Sequence, residues 1–553
     1  MFPLARWVSA VLFALAVVFA LPACDGTGIE VKVPDLGESP PPAGGGGGGG
    51  GGGEEPPPGD PRFVGTFITS YSDDFAANSV PSPSDYAARI VLEQSGSAVT
   101  GTGEMARFFR TGAFNNSQFE FTLGGSATPS GNDGLITFRN RPNRNDFDRT
   151  PQWVMRRVGS RIIGIYGEFN ASDQLVRSGR AEWSRQEEAS LDETWVTTGA
   201  DSFAIEALNP LDRTTRVALS NPSGTVVEGS GGFTEHPLFG DVRATNVTVI
   251  EGGRQGLRVG LRLGGPEMGD SEFQHLGFFS DSVMHTAYGQ FLNRQSLERM
   301  GASTWVRARP VDASNINGTW IASFSDSRTE ESVQTRSYIA VLRLEVAEGN
   351  QITGSAHILD ETDGSEANFL QSNIVEGTIS GSRLRVTIAN TRASFEWDLR
   401  VGFNRLLGTF RRLNNQDEPT NVGNAVFFRT GAPALEGTWT AAFVDRVNEL
   451  RPPETQLAVV RITEQQEDGT LTGTGRLQYA AEIDELERAF NVTGQIRRNH
   501  PSGPWIQWVW SGSDLAGDTE WNLRQQSNIM VGTYTNYTAN GNLESRGHAV
   551  WYR

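Results

Sequence analysis

The sequence predicts an all-β protein: four tandem eight-stranded antiparallel up-and-down barrels behind an N-terminal address segment and a glycine–proline tether. Three observations carry this. Five landmarks recur in one order, four times over, between residue 63 and residue 553. Inside each copy the apolar residues alternate with a period of two. No long stretch of 3.6 periodicity stands out.

Residues 1–24 read MFPLARWVSAVLFALAVVFALPAC, with Arg6 as the basic side chain ahead of an apolar run from Trp7 to Leu21. That run is 15 residues, shorter than the about 20 a spanning helix needs, and it fits a cleaved secretory signal over 1–23. It ends Leu21-Pro22-Ala23-Cys24, which resembles the lipobox of bacterial lipoproteins, with Pro22 a less usual occupant of its second position. The resemblance implies cleavage before Cys24 and acylation of Cys24, the lipid attachment site. Each buried CH₂ then adds about 0.8 kcal/mol of anchoring. An ordinary signal peptide with an incidental cysteine is the competing reading. Asp25 follows the cysteine and leaves inner or outer membrane undecided.

Residues 24–61 are the lipidated N-terminus and a tether. They contain Pro40-Pro41-Pro42, ten glycines from Gly44 to Gly53, and Pro56-Pro57-Pro58. Such a segment offers too little apolar surface to repay ordering entropy. As a flexible coil it spans roughly 35 Å, which holds the folded part off the bilayer.

The copies are expected over 62–187, 188–309, 314–430 and 433–553. They open Gly65-Thr66-Phe67, Glu193-Thr194-Trp195, Gly318-Thr319-Trp320 and Gly437-Thr438-Trp439. Each continues with an apolar residue and a Gly-small run, such as Val99-Thr100-Gly101-Thr102-Gly103 and Leu471-Thr472-Gly473-Thr474-Gly475. Later come Tyr166, Tyr288, Phe410 and Tyr534, each thirteen residues after Trp153, His275, Trp397 or Trp521. Each copy closes as Gly-x-small-x-aromatic-x-Arg, from Gly179, Gly301, Gly423 and Gly547 to Arg185, Arg307, Arg429 and Arg553.

In copy three, Tyr338, Ala340, Leu342, Leu344 and Val346 share one strand face, with Arg343 and Glu345 opposite. In copy two, Leu257, Val259, Leu261 and Leu263 oppose Arg258 and Arg262. These are strands with one dry and one wet face. Copy three yields eight, near 317–324, 337–346, 351–357, 371–379, 382–389, 393–400, 405–412 and 423–429. Short connections pair neighbours as hairpins, and closure removes sheet edges. An outer-membrane barrel would put the apolar face toward lipid. Four self-similar units, each with its own opening and closing motif, suit four small soluble barrels better.

Gly-Thr-Trp in the first strand and aromatic-x-Arg in the last resemble the calycin-type barrels, meaning lipocalins, fatty-acid-binding proteins and avidins. The resemblance implies that the closing Arg crosses the opening aromatic at one barrel end, a contact worth about 0.5–2 kcal/mol. The structural pairs would be Phe67 with Arg185, Trp195 with Arg307, Trp320 with Arg429, and Trp439 with Arg553. No convincing set of avidin biotin ligands is present.

Catalytic and metal motifs are missing from the sequence. The six histidines are His236, His275, His285, His357, His500 and His548, without HExxH or metal-ligand spacing. Lys32 is the one lysine, leaving 47 − 1 = 46 arginines, so Schiff-base chemistry in the folded part is excluded. Cys24 is the one cysteine, which rules out an intramolecular disulfide. There is no G-x-S-x-G elbow or Walker loop. Asp360, Asp363 and Glu366 form a polar loop without EF-hand spacing. Trp505, Trp508 and Trp510 line a pocket or fill a core. A net charge of −18 gives no general attraction to nucleic acid or anionic lipid.

The expectation is therefore a lipid-anchored bacterial envelope protein without catalysis, metal or cofactor. Its tandem barrels bind a small apolar ligand or a protein partner; the alternative is a structural or adhesive scaffold with filled barrels.

Overall fold

The computed structural model describes residues 62–553 except 78–83, 110–116, 129–132, 141–150, 206–207, 209, 239–241, 330–334, 361–368, 390–392, 430–434, 446, 449–453, 484–486, 499–503 and 527. The signal segment, Cys24, the tether to residue 61, His500, Asp363 and Glu366 lie outside the described residues.

Four antiparallel barrels follow in order along the chain. In barrel 1 the strands Gly65–Ala76, Ser84–Ser95, Ala98–Phe109, Ser117–Ala127, Asp133–Asn140, Gln152–Val158, Arg161–Phe169 and Leu175–Arg185 pair in sequence, and the last closes on the first. Barrel 3 uses Gly318–Ser325, Ser337–Val346, Ile352–Asp360, Phe369–Ser380, Arg383–Ala389, Ser394–Gly402, Arg405–Leu413 and Pro419–Arg429. Barrel 2 runs from Thr194–Ala200 to Ser296–Arg307, and barrel 4 from Gly437–Val444 to Leu543–Tyr552.

Three details differ from the sequence reading. The sequence of copy one reads as a long first loop over about 72–86, but the opening strand of barrel 1 runs on to Ala76 and the second begins at Ser84. In barrels 2, 3 and 4 the opening strand breaks, and a two-residue piece (Phe203–Ala204, Arg328–Thr329, Val447–Asn448) resumes pairing with the closing strand. The closing strand of barrel 3 also starts at Pro419 rather than near 423, because Pro419 pairs with Leu413 across a bulge. Apolar periodicity does not register such polar strand ends.

The dry faces turn inward and meet as aromatic cores. In barrel 4, Trp439, Phe443, Phe490, Trp508, Trp510, Trp521, Tyr534 and Trp551 share one cluster. Trp510 lies 5.0 Å from Trp521 and 4.4 Å from Phe490 between ring centres. In barrel 1 Trp153 lies tilted against Tyr166 at 4.8 Å, with Trp183 and Tyr71 edge-on to Trp153. Apolar inside and arginine-rich outside is the reverse of an outer-membrane barrel.

The four barrels form a closed ring. The first two strands of each barrel pack against the last two or three strands of the next: 1 on 2, 2 on 3, 3 on 4, and 4 back on 1. This is one heterologous interface used four times, and its rotation closes after four copies. In barrels 1, 2 and 3 the residue after the opening aromatic packs into the seam. Val196 clusters with Leu407, and Ile321 with Val531. Ile68 joins Leu276, Phe278 and Val283 of barrel 2. At the last seam Leu457 and Ala480 of barrel 4 meet Ile163 and Ile165 of barrel 1.

The seams repeat their polar contacts as well. Asp85, Asp212 and Thr455 occupy one repeat position, at the start of the second strand. Asp85 accepts from Ser202 Oγ at 2.6 Å, and Asp212 from Ser327 Oγ at 2.5 Å. At the 4–1 seam the roles reverse: Thr455 Oγ1 donates to Asp74 at 3.4 Å.

Candidate functional site

A partly open cavity of about 780 Å³ is lined by all four barrels of the ring. Much of its wall comes from the last two strands of each barrel, at matching repeat positions, with Ser70, Ala200, Ser323 and Ser325 added from opening strands. One layer is Arg161, Val283, Arg405 and Ile529, at the start of each seventh strand. A second is Glu182, Thr304, Val426 and Val550, and a third is Ser184, Val306, Phe428 and Tyr552. The hairpin turns at Gly159–Ser160, Ser280–Ser282, Phe403–Asn404 and Asn528 also contribute to the lining.

Charge in the cavity is unevenly matched. Arg161 is ion-paired to Glu182 and lies 4.9 Å from the Tyr552 ring centre. The Tyr552 hydroxyl donates to the other Glu182 oxygen at 2.6 Å. Burial raises the Glu182 carboxyl, but Arg161, Arg405 and the Tyr552 hydrogen bond outweigh it and hold the group below its usual range. Its side chain keeps 31% of its surface open, which gives onto the cavity. Arg405 stacks on Phe428 at 5.4 Å. Burial and the neighbouring Arg161 lower the Arg405 guanidinium, partly offset by Glu182.

His285 stands in the wall between barrels 1 and 2. Its Nδ1 lies 3.3 Å from Ser70 Oγ and 3.2 Å from Thr304 Oγ1, and its Nε2 lies 3.3 Å from Ser184 Oγ. Burial pulls its pKa down to about 3, so the ring is neutral at neutral pH. Both nitrogens face hydroxyls, and among the described residues neither is hydrogen-bonded to a carboxylate. Across the ring, His548 Nδ1 lies 2.7 Å from Ser325 Oγ. The remaining described histidines are dispersed. His275 sits inside barrel 2, 3.2 Å from Thr286 Oγ1, and His236 reaches Asp398 at 3.4 Å across the 2–3 seam. Among the described residues no group of three His, Cys, Asp or Glu side chains is placed to hold a metal.

The opening aromatic and closing arginine residues lie at one barrel end. Arg307, Arg429 and Arg553 stand 5.8, 5.9 and 5.4 Å from the Trp195, Trp320 and Trp439 ring centres. They also donate to carbonyls of the preceding segment, namely Ser190, Ser314 and Asn317, and Glu436. In barrel 1, Phe67 and Arg185 are register partners, but the guanidinium over the Phe67 ring belongs to Arg157, at 4.9 Å. Trp508 and Trp510 fill the barrel 4 core, whereas Trp505 faces out and packs with Ile339 and Leu359 of barrel 3.

Sequence reasoning missed a buried aspartate six residues after each opening aromatic: Asp73, Asp201, Asp326 and Asp445. Tyr166, Tyr288 and Tyr534 donate their hydroxyls to the first, second and fourth. In barrel 3, where that tyrosine is Phe410, Tyr338 donates to Asp326 at 3.3 Å instead. The same carboxylates accept the backbone N–H of Ser84, Leu211 and Arg336, tying down the link to the second strand. The fixed spacing was the available signal.

Among the described residues no helix is long and apolar enough to cross a membrane. No protein-family model matches the chain, and no curated protein matches it. Solved structures give faint similarities. A protein of unknown function from the DUF3598 family of Nostoc punctiforme is 15% identical, over 43% of this chain and 96% of that one, with a TM-score of 0.15. A double mutant of the vaccine antigen transferrin binding protein B from Haemophilus parasuis is 8% identical over 67% and 76%, with a TM-score of 0.17. Intact Ap-TbpB, with N and C lobes, is 10% identical over 90% and 97%, with a TM-score of 0.16.

Proposed function

We propose that this chain is a lipid-anchored, non-catalytic binding protein of the bacterial envelope whose ligand site is the cavity at the centre of the barrel ring. One observation carries the reading: a space of about 780 Å³, within the range of small-molecule sites, is walled by convergent hydroxyl, imidazole and guanidinium groups from all four barrels. The aromatic cores argue against an apolar ligand inside a barrel, since those interiors are occupied by packed side chains. The ligand is therefore polar and sits between barrels. Cys24 supplies the anchor and residues 25–61 the spacing from the membrane. The filled interiors also favour a second reading, a structural or adhesive scaffold.

Native mass spectrometry of the full protein, gently extracted from its own host's membranes, separates the two. The expected result is the acylated chain plus a reproducible small polar mass that is lost on denaturation. A bare acylated chain would favour the scaffold. A chain without acyl mass on Cys24 would remove the anchor.

A further inference from the structure

The cavity wall follows the repeat, and its exceptions say what it is built to hold. Arg161 and Arg405 occupy the same repeat position in barrels 1 and 3, two steps apart round the ring. The matching residues in barrels 2 and 4 are Val283 and Ile529, and all four line the cavity. In barrel 1 the closing strand answers Arg161 with Glu182. In barrel 3 the residue matching Glu182 is Val426, which also faces the cavity. Arg405 has the Phe428 ring as its support and, among the described residues, no carboxylate within ion-pair distance. Glu182 is already engaged by Arg161 and Tyr552.

Arg161 and Arg405 thus share the field of one carboxylate, Glu182, and a surplus guanidinium charge in a part-buried space is costly unless an anion joins it. The rest of the wall supplies hydroxyl and amide groups, among them Thr304, Asn404 and Asn528, which suit the hydroxyls of a ligand. We propose that the central cavity binds a small hydroxylated anion, a sugar-sized carboxylate or phosphate, with Arg405 as the residue that takes its charged group. This rests on reading the cavity as the ligand site. Glu182 then acts as the contrasting element: its direct ion pair is with Arg161, so the anion is drawn to Arg405 on the barrel 3 side of the cavity. Planar guanidinium geometry matches either a carboxylate or a phosphate with two parallel hydrogen bonds.

Isothermal titration calorimetry of the full chain in detergent tests this with glucuronate, glucose 6-phosphate and neutral glucose as probes. Two variants accompany the wild type. Arg405→Gln removes the charge. Val426→Glu keeps Arg405 but gives it the internal partner that Arg161 has, and so guards against a mere folding defect. The expected result is that at least one anion binds the wild type more tightly than glucose, and that both variants weaken it by roughly tenfold or more. Whichever anion does so names the charged group. Anion binding unchanged in both variants, or no preference over glucose, overturns the proposal. If the native mass of the host-derived protein still includes a neutral polar molecule, only the anionic assignment falls. A bare native chain together with silent titrations removes the ligand site as well.

Discussion

Asp85 shows what burial does to a single carboxyl in this protein. It sits fully buried at the 1–2 seam, and the loss of water pushes its pKa up to about 7 against the hydrogen bonds from Ser202 and Ser72. Burial likewise raises Asp73 to about 6 and Asp326 to about 7. A raised acid binds its proton in the folded state while the unfolded chain releases it near pH 4. Stability from these groups is therefore present at low pH and lost as pH rises through about 4 to 7. His275 and His285, both pushed down to about 3, act with the opposite sign below pH 6.5. Asp85→Asn keeps an oxygen acceptor and removes the titration. Chemical denaturation at pH 5 and pH 8 should show the variant gaining on wild type as pH rises, by on the order of 2–4 kcal/mol. An equal difference at both pH values would contradict the assignment. None of this was legible in the sequence, where Asp85 stands among polar residues next to a loop. Its burial comes from a neighbouring barrel.

At the scale of elements, much was legible. Period-two alternation located the strands of copy three to within a few residues, because one strand face is dry. The opening and closing motifs have a packing reason that alternation alone does not supply. A Cβ built on Gly547 would stand 2.7 Å from the Tyr534 hydroxyl and 2.9 Å from its ring, and Gly179, Gly301 and Gly423 face the same conflict with Tyr166, Tyr288 and Phe410. Tyr534 cannot swing away easily, since its hydroxyl is held by Asp445 and its ring lies 4.8 Å from Trp521. Gly547→Ala should therefore destabilise by about 1–3 kcal/mol through overpacking. Gly124→Ala, where a Cβ meets nothing within 4 Å, is the matched control and should change little. Comparable losses in both variants would mean that the contact with Tyr534 is not what keeps glycine there, since the lower chain entropy of alanine would by itself stabilise. The opening segment has a similar logic: Phe63, Leu191, Ile316 and Leu435 stand four residues before each opening aromatic and are all buried. The carbonyls of Leu191, Ile316 and Leu435 accept the indole N–H of Trp195, Trp320 and Trp439. These plugs were overlooked because one apolar residue in a polar linker carries no periodic signal.

The whole molecule is where the sequence said least. Four copies implied four barrels, but not their arrangement. The ring is encoded by apolar residues on faces that alternation assigns to solvent: Ile68, Val196 and Ile321, each directly after an inward aromatic. Singly they read as lapses in the pattern. Taken at one repeat position they mark a shared seam. The candidate cavity was equally hidden, because its wall combines residues from four copies that are individually ordinary strand-surface positions. Ring closure is the central claim, since the four-barrel cavity depends on it. It is tested most directly at the seam between the first and last barrels, where Ser178 Oγ and Thr455 Oγ1 are 3.1 Å apart across 277 residues of chain. The measurement is intramolecular disulfide formation in the double variant S178C/T455C under mild oxidation, read as a mobility change on a non-reducing gel. A closed ring predicts near-complete conversion to a faster-migrating monomer. Free thiols or intermolecular dimers in its place would contradict the closed ring, and the four-walled cavity with it.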